Sequence, residues 1–444
     1  MKLSGWSRYP VLECRFESLR RIDDLPKLIR HGGTLISRGN GRSYGDAALN
    51  PELTLSMLAL DRMQSFNTKT GMLACEAGVL LADILNTFVP RGWFPPVLPG
   101  TKHVTVGGLI AADVHGKNHH LDGSFGAHVE ALTLVTADGN IRECSRNEHK
   151  DLFRATIGGM GLTGVILSAR FQLMPIDSAF VMEQTLAASD LEATMALIEE
   201  SRDWPYSVAW IDCQASGAKL GRGLVSRAIP IEQYALPPEL ANDPLQCPSV
   251  DMISIPIDLP VALLNQVSVK AFNALYYRQC GRAGERTRLT HFDLFFFPLD
   301  RVRAWNRLYG RKGFIQYQCV FPKETSLVGI TTLLERMMSS GHRSFLAVLK
   351  LFGPGGDGFM SFPMEGYTLA LDFPLHRDTL TLLRSLDEIT HGYGGRVYLA
   401  KDACCTPDMV RQGYPQYDDF MTVRAEAAGS VPLFASALSR RLAL

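Results

Sequence analysis

The feature that most constrains this chain is a segment dense in glycine and histidine, residues 104–126, which reads VTVGGLIAADVHGKNHHLDGSFG. Glycine has no Cβ, so the backbone can approach a ligand closely. Histidine and lysine side chains hold anions or move protons near neutral pH. The side chains of this kind are His115, Lys117, His119 and His120. The combination predicts the floor of an active site for a large, flat, phosphate-bearing cofactor.

A second glycine cluster lies upstream, at residues 37–46, and reads SRGNGRSYGD. Backbone N–H groups in such a loop form an anion-binding concavity, to which arginines add forked donors. Neither cluster has the G-x-G-x-x-G or G-x-x-x-x-G-K-[ST] spacing, so a Rossmann site or a P-loop is not expected. Two dense clusters about sixty residues apart, both rich in anion-binding groups, argue against two tight turns decorated by chance.

The bulk composition restricts the class of protein. The chain has 444 residues, enough for two or three structural units, and its 45 basic and 45 acidic side chains create no field that would attract nucleic acid. Its nine cysteines form no C-x-x-C pair, which is typical of a reducing compartment. No signal-peptide pattern opens the chain and no run reaches the roughly 18 apolar residues of a membrane span. A cytoplasmic protein that does not bind nucleic acid is expected.

The distribution of short strands and helices predicts an α+β fold. A first unit, residues 1–176, is expected to bind the cofactor and to contain a hairpin around Asp138-Gly139. A second unit, residues 177–395, is expected to be a substrate or cap domain with a large antiparallel sheet, and residues 396–444 to return to the first unit. The proline-rich stretch 230–260 is interpreted as a lid or surface loop. Helices are predicted at 191–202, 324–340 and 379–391, and strands at 291–297 and 314–321.

Several motifs in order give a specific resemblance: LSGWSR, RGNGRSYGD, PVLPGTKHVTVGGLIAADVHGKNHHLDGSFG, GGMGLTGVI, AWIDC, FIQYQCVFP, LKLFGP and YLAKDA. The chain resembles the vanillyl-alcohol-oxidase type of FAD-binding proteins, and within them the flavin subunits of decaprenylphosphoryl-β-D-ribose 2'-epimerases. The resemblance covers essentially the whole chain. It implies a two-subdomain FAD-binding domain with a substrate domain attached.

The same resemblance implies the residues that hold FAD. The two arginines and the loop amides of the upstream cluster would face the pyrophosphate, and the segment after Thr105 would run beside the ring. Many members carry a histidine that bonds the flavin covalently, whereas this chain has Arg42 there, so non-covalent FAD is expected. The expected cofactor-binding residues are Ser37, Arg38, Gly39, Asn40, Gly41, Arg42, Ser43, Tyr44, Gly45, Asp46, Ala47, Gly100, Thr105, Val106, Gly107, Gly108, Ala112, Asp113, Val114, His115, Ile166 and Tyr398.

A flavin accepts a hydride, so the protein must hold a substrate C–H against it and remove the hydroxyl proton. The candidate bases are His115, Lys117, Tyr44 and Lys401, and the choice between His115 and Lys401 stays open. Lys401 lies in YLAKDA, which reads as a buried, strand-like run. The resemblance places Lys401 at flavin and substrate, and further implies roles there for Gln316, Gln318, Lys350, Phe352 and Trp6.

The resemblance implies an oxidase that takes hydride from C2' of a polyprenyl-phosphoryl ribose. A separate NAD(P)H-dependent short-chain reductase would complete the epimerisation to the arabinose lipid, and a lipid substrate implies peripheral contact with the inner membrane face. Three other functions stay open: a sugar or aldonolactone oxidase with a soluble substrate, a zinc hydrolase on the histidine cluster, and a catalytically idle partner protein. No metal is expected, because the glycines and Asn118 argue against a helix at the histidines and no H-E-x-x-H glutamate is present. The oligomeric state is not predicted.

Overall fold

The computed structural model describes residues 1–30, 33–247, 253–258, 266–281, 286–428 and 432–444. In chain order the strands are β1 Lys2–Ser4, β2 Val11–Glu13, β3 Phe16–Ser18, β4 Ile36–Arg38, β5 Thr54–Ser56, β6 Met63–Asn67, β7 Met72–Glu76, β8 Trp93–Phe94, β9 Val129–Val135, β10 Ile141–Ser145, β11 Val165–Gln172, β12 Met174–Pro175, β13 Phe180–Ala188, β14 Tyr206–Ile211, β15 Gly223–Pro230, β16 Ile253–Ser254, β17 Arg286–His291, β18 Val302–Arg303, β19 Phe314–Pro322, β20 Ala347–Phe352, β21 Gly366–Pro374 and β22 Arg396–Val397. The helices are α1 Leu25–Arg30, α2 Leu81–Phe88, α3 Val106–Ala111, α4 His119–Asp122, α5 Lys150–Thr156, α6 Leu191–Glu199, α7 Pro238–Ala241, α8 Gln266–Gly281, α9 Phe292–Phe296, α10 Ser326–Ser339, α11 Thr379–Gly392, α12 Pro407–Gly413, α13 Tyr417–Ala428 and α14 Ala437–Leu442.

The N-terminal part contains two sheets. A five-stranded antiparallel sheet has the order β10-β9-β11-β7-β6, and a three-stranded parallel sheet has the order β3-β5-β4. The hairpin predicted around Asp138-Gly139 is confirmed, because β9 and β10 pair from Val135 and Ile141 outward. Helix α2 spaces its apolar residues so that they share one face, and that face is buried in the core of this part.

The second part is built on one eight-stranded antiparallel sheet, ordered β17-β13-β15-β14-β20-β21-β19-β22. Successive side chains of a strand point to opposite faces of a sheet. On one face, Tyr317, Leu349 and Leu369 belong to an apolar core shared with Leu333 of α10 and Leu386 of α11. The other face of β19, β20 and β21 carries polar side chains: Gln316, Gln318, Lys350, Thr368 and Asp372. This polar face is what positions the candidate site, and the mixed architecture agrees with the α+β prediction.

The C-terminal residues pack on the N-terminal part. Helix α13 contacts α5, and the main chain of Ala437 donates to Leu49 O at 2.7 Å. A bridge also joins Leu35 to Phe434. The domain boundaries at 176 and 395 remain predictions. Among the described residues, none of the helices combines the length and apolar character needed to cross a bilayer.

Two local predictions were wrong. The run 291–297 was expected to be a strand, but β17 ends at His291. There the imidazole of His291 caps the N-terminus of α9 by accepting a hydrogen bond from Asp293 N at 3.2 Å. Its Phe292, Phe295 and Phe296 recur at helical spacing and are buried in the N-terminal core, which explains the helix. The YLAKDA run forms a turn and not a strand. Lys401 N donates to Tyr398 O within the run, and Ala400 O accepts from Tyr44 N of the upstream loop, so these groups do not pair along a sheet.

The histidines do not lie on one helix. A one-turn helix, α4, begins at His119, and Asn118 Nδ2 fixes its entry by donating to Pro96 O and to Asp122. His115 precedes this helix and forms a bridge with Ser124, so His115 and His119 are not ligands one turn apart on a helix. The predicted lid at 230–260 is described in part: it holds α7 and the short β16, which pairs with β18. Residues 248–252 and 259–260 of that lid lie outside the described residues.

Asp387 of α11 gives a testable pH dependence of stability. The side chain is buried, neither carboxyl oxygen accepts a hydrogen bond from the described residues, and burial together with nearby Asp402 raises the pKa to about 8. In the unfolded chain the pKa of an aspartate is about 3.9. Between these values only the unfolded state releases the proton, so the contribution of Asp387 to stability is greatest below about pH 4 and is lost as the pH rises to about 8.

We therefore expect Asp387→Asn to remove this decline. The melting temperatures of the variant and of the original chain are measured from pH 4 to pH 9. The difference between them, variant minus original, should increase as the pH rises. Asp419→Asn is the matched control, because its exposed carboxylate can be replaced without emptying a buried position. A constant difference between Asp387→Asn and the original chain across this range would contradict the prediction.

Candidate active site

The loop of residues 37–47 is held tightly by its neighbours. Arg38 donates to Ser4 O at 2.7 Å and to Ala48 O at 3.3 Å, so its guanidinium braces the loop from behind. Gly41 has a φ of +62°, and a Cβ on Gly45 would lie 1.8 Å from Asp402 O. Tyr44 N donates to Ala400 O at 2.9 Å. The loop therefore rests directly on the turn that carries Lys401.

Arg42, in contrast to Arg38, has unused hydrogen-bonding capacity. Its guanidinium lies 4.1 Å above the Trp6 ring, and burial lowers its pKa. Arg42 Nε and Ser37 Oγ are buried and have no hydrogen-bond partner among the described residues. Buried polar atoms without partners are unusual and call for a ligand or water. These orphaned donors fit the phosphate groups of a dinucleotide.

The two glycine clusters adjoin, as the sequence suggested. Thr105 begins α3 by accepting from Gly108 N at 3.2 Å, and a Cβ on Gly39 would lie 2.2 Å from the same Thr105 hydroxyl. Asn40 of the upstream loop donates to His103 O at 2.8 Å. The backbones of the two clusters are therefore packed against each other, and the surface that they share is called the cradle below.

The remaining predicted cofactor residues lie around this cradle. Asp113 accepts from Gly126 N at 2.9 Å and from the Ser361 hydroxyl. Tyr398 donates its hydroxyl to Ala112 O at 2.8 Å. Asp46 is paired with Arg441, so its carboxylate is committed within the protein. Ala47, Val106 and Ile166 are buried, and Ser43 and Val114 are partly buried. The main chain of Gly107 donates from N to Ala77 O. Gly100 has open space where a Cβ would lie.

His115 lies at the meeting point of the two parts of the fold. Its Nε2 is 2.9 Å from Gln318 Nε2, and its ring contacts Phe352 with centroids 4.6 Å apart. Burial, then the neighbouring Lys350 and His119, hold the pKa of His115 well below its usual range. The imidazole is therefore neutral at physiological pH.

Lys401 faces aromatic and carboxylate groups. Its Nζ lies 3.6 Å from the centroid of the Tyr44 ring, and burial lowers its pKa to about 7 although nearby Asp372 acts in the opposite direction. Asp372 accepts from Gln316 Nε2 at 2.6 Å and from the Tyr309 hydroxyl at 3.3 Å. Burial raises the pKa of the Tyr44 hydroxyl well above its usual range, so Tyr44 stays protonated.

Two further lysines add positive charge to the site. Burial lowers the pKa of Lys350 to about 8. Burial, together with the positive charge of Lys350, lowers the pKa of Lys117 to about 7. Lys117 Nζ donates to Phe295 O and lies 3.9 Å above the Phe295 ring, so α9 shares in holding it. His119 packs on Phe352, with ring centroids 4.5 Å apart. Lysines that lose solvation without full compensation favour an anionic ligand.

The structure also brings in residues that sequence reasoning missed. Asp372 and Thr368 hydrogen-bond to the predicted residues Gln316 and Gln318, and Tyr309 hydrogen-bonds to Asp372. No glycine or histidine motif marks any of the three. The alternation along GYTLALDFP, residues 366–374, was the available signal, because it places Thr368 and Asp372 on the face that also carries Gln318.

The fold and the cradle define an FAD-dependent oxidoreductase. A family model described as an FAD binding domain matches residues 17–145, a range that contains both glycine clusters. Over 93% of this chain and 90% of the relative, 38% of residues are identical to the decaprenylphosphoryl-beta-D-ribose oxidase of Mycolicibacterium smegmatis. The chain therefore belongs to the decaprenylphosphoryl-ribose oxidase family of FAD-binding oxidases.

Two other relatives set the range of the similarity. An uncharacterised protein of Streptomyces coelicolor is 36% identical over 82% of this chain and 100% of its own length. The L-gulonolactone oxidase of Bos taurus is 29% identical, over 44% of each chain. Family membership decides for an FAD-dependent enzyme and against the zinc hydrolase and the idle partner protein.

Proposed function

We propose that this enzyme oxidises the 2'-hydroxyl of a polyprenyl-phosphoryl-β-D-ribose to the 2'-keto sugar. The substrate class follows the named relative that shares most of the chain. The observation that carries the proposal is a set of three partly buried lysines: Lys350 and Lys401 both lower the pKa of His115, and Lys350 also lowers that of Lys117. Their carboxylate neighbours are Asp372 for Lys401 and Glu183 for Lys117. A phosphodiester on the sugar would favour the charged form of lysines whose pKa burial has lowered.

The residues proposed to hold FAD are those of the cradle. Arg42, Ser37 and the loop amides of residues 37–47 would take the pyrophosphate, with Arg38 bracing the loop. The backbone of residues 105–115 would run beside the ring, and Tyr398 would fix that backbone through Ala112 O. Non-covalent binding is proposed because Arg42 cannot form the histidyl bond of related proteins.

When bound, FAD supplies a hydride acceptor; the chain must orient the sugar and take up the hydroxyl proton. We assign the proton to Lys401 Nζ, because its pKa of about 7 leaves a large neutral fraction at physiological pH. Tyr44 keeps its proton and supports the ammonium form of Lys401 through its ring. Lys117 and Lys350 would bind the phosphate, while Gln316, Gln318, Phe352 and Trp6 would shape the sugar site.

The proton assignment predicts the pH dependence of the chemical step. A base must be unprotonated, so at saturating substrate the rate of flavin reduction should rise with pH and level off above an apparent pKa near 7. Saturation is required because burial lowers the pKa of Lys117 and of Lys350, which would bind the phosphate, into the same range. Burial holds the pKa of His115 well below its usual range, so the titration of His115 should not change the rate of flavin reduction near neutral pH. Single-turnover reduction measured from pH 5.5 to pH 9 checks this; a rate that is flat through pH 7 would contradict Lys401 as the base.

A place for the enzyme in the cell is proposed with the substrate. The 2'-keto sugar must be reduced on its other face to give the arabinose epimer, which calls for an NAD(P)H-dependent short-chain reductase. The lipid tail calls for peripheral contact with the inner membrane face.

The experiment that tests the proposal compares substrates under anaerobic conditions. Bleaching of the flavin absorbance by polyprenyl-phosphoryl ribose, with the 2'-keto product identified by mass spectrometry, is the expected result. The similarity to an L-gulonolactone oxidase makes a free aldonolactone the sharpest competitor. Bleaching by the lactone alone would replace the proposal with a soluble-sugar oxidase.

A further inference from the structure

The distances around Thr368 favour one direction for the hydrogen bonds of Gln318. Thr368 has a single hydroxyl proton, and Thr368 Oγ1 lies 2.8 Å from Cys319 O, a carbonyl that can only accept. The side-chain nitrogen of Gln318 is farther away, at 3.2 Å. We therefore place the proton of Thr368 on the shorter contact, with Cys319 O, so that Thr368 Oγ1 accepts from Gln318.

This direction fixes the side-chain amide of Gln318. Its nitrogen must face Thr368, because the carbonyl oxygen of the amide would find no proton there. The same nitrogen lies 2.9 Å from His115 Nε2. An amide nitrogen only donates, so His115 Nε2 must accept with its lone pair. A neutral imidazole that accepts at Nε2 carries its proton on Nδ1.

We propose that Thr368 is a positioning residue that, through Gln318, holds His115 in the tautomer protonated at Nδ1. His115 then offers the site a hydrogen-bond donor and no free lone pair. Its Nδ1 is buried and has no aligned partner among the described residues, so it suits an acceptor atom of the bound sugar or cofactor. The proton of the substrate hydroxyl is left to Lys401, as the proposed function requires.

The neighbours of Thr368 offer no substitute for its hydroxyl. Ala370, the residue opposite Gln318 on β21, has no polar side-chain atom. Lys350, the residue opposite Thr368 on β20, can only donate when charged and would repel the amide nitrogen. Thr368→Val keeps the shape and removes the acceptor, which frees the amide of Gln318 to turn over. Thr368→Ser keeps the acceptor and is the matched control.

The test reads the tautomer directly. The FAD-loaded enzyme is labelled with ¹⁵N-histidine, the His115 resonances are assigned with His115→Gln, and the nitrogen shifts and couplings identify the protonated atom. We expect Nδ1–H in the original chain and in Thr368→Ser, and a mixture of tautomers in Thr368→Val. Substrate-dependent flavin reduction should slow severalfold in Thr368→Val and not in Thr368→Ser.

Either of two results would overturn the inference: an Nε2–H tautomer in the original chain, or an unchanged tautomer in Thr368→Val. The first measurement needs no variant, so it stands even if Thr368→Val fails to fold. The tautomer is read without substrate, whereas the proposed function fails only if polyprenyl-phosphoryl ribose leaves the flavin oxidised. The two failures are therefore distinguishable.

Discussion

Lys401→Met is expected to lower the rate of flavin reduction by polyprenyl-phosphoryl ribose by roughly 10²–10⁴-fold, the usual contribution of a general base. The methionine side chain matches the length of lysine and cannot accept a proton. FAD should stay bound, because the Lys401 ammonium contacts the Tyr44 ring, whereas the loop backbone has other partners, such as Ala400 O for Tyr44 N. Stopped-flow absorbance under anaerobic conditions measures the rate, and the flavin-to-protein ratio measures binding.

The control for this variant is Lys323→Met. Lys323 is partly exposed and forms an ion pair with Glu199 at 3.1 Å, so its loss removes a positive charge away from the site. We expect its reduction rate to stay within a factor of two of the original. Equal rates in Lys401→Met and Lys323→Met, with FAD bound in both, would refute the role of Lys401.

Arg441→Met should produce a large loss of stability. Arg441 of α14 contacts Asp46 at 2.9 Å and Asp402 at 2.8 Å, and both carboxylates are buried. Removing the guanidinium leaves two buried carboxylates side by side without a cation, which costs roughly 3–5 kcal/mol. Asp46 belongs to the proposed flavin loop and Asp402 follows Lys401. We therefore expect weaker FAD retention along with a lower denaturant midpoint.

The adjacent arginine supplies the control for that substitution. Arg440 pairs with Glu52 at 2.5 Å, but both side chains are more than 40% exposed. An exposed ion pair contributes about 0–1 kcal/mol. Urea unfolding of Arg440→Met should differ little from that of the original chain. A similar shift in both variants would mean that α14 contributes through its helix alone and not through the buried network.

Patterns local to the sequence predicted much of the fold. The helix with Leu191 after the cap residue Asp190 forms, and Asp190 accepts from Ala193 N at 2.9 Å. The strand predicted at 314–321 forms as β19. Alternating or helical spacing of apolar residues reports which face is buried, and short-range geometry suffices to read it. The wrong prediction at 291–297 arose because phenylalanine favours strands, while burial against a second unit selected a helix.

The candidate site was predictable only where motifs carry it. The glycine clusters indicated a cradle, and the structure brings Gly39 against Thr105. Contacts that depend on the register of strand pairing could not be found from sequence spacing. Asp372 contacts Gln316 and Thr368 contacts Gln318, and the residues of these pairs lie 56 and 50 positions apart in the chain. The different use of the two arginines was also hidden. Arg38 donates to backbone carbonyls, whereas Arg42 Nε has no hydrogen-bond partner among the described residues. Only the folded chain shows this difference.

The central claim is that the enzyme takes hydride from C2' of a lipid-linked ribose. Its most direct test is the isotope effect on anaerobic flavin bleaching, with polyprenyl-phosphoryl ribose carrying deuterium at C2' or at C3'. We expect severalfold slower bleaching with the C2' label than with the unlabelled compound, and no change with the C3' label. Bleaching that slows only with the C3' label, or no bleaching by either compound, would contradict it.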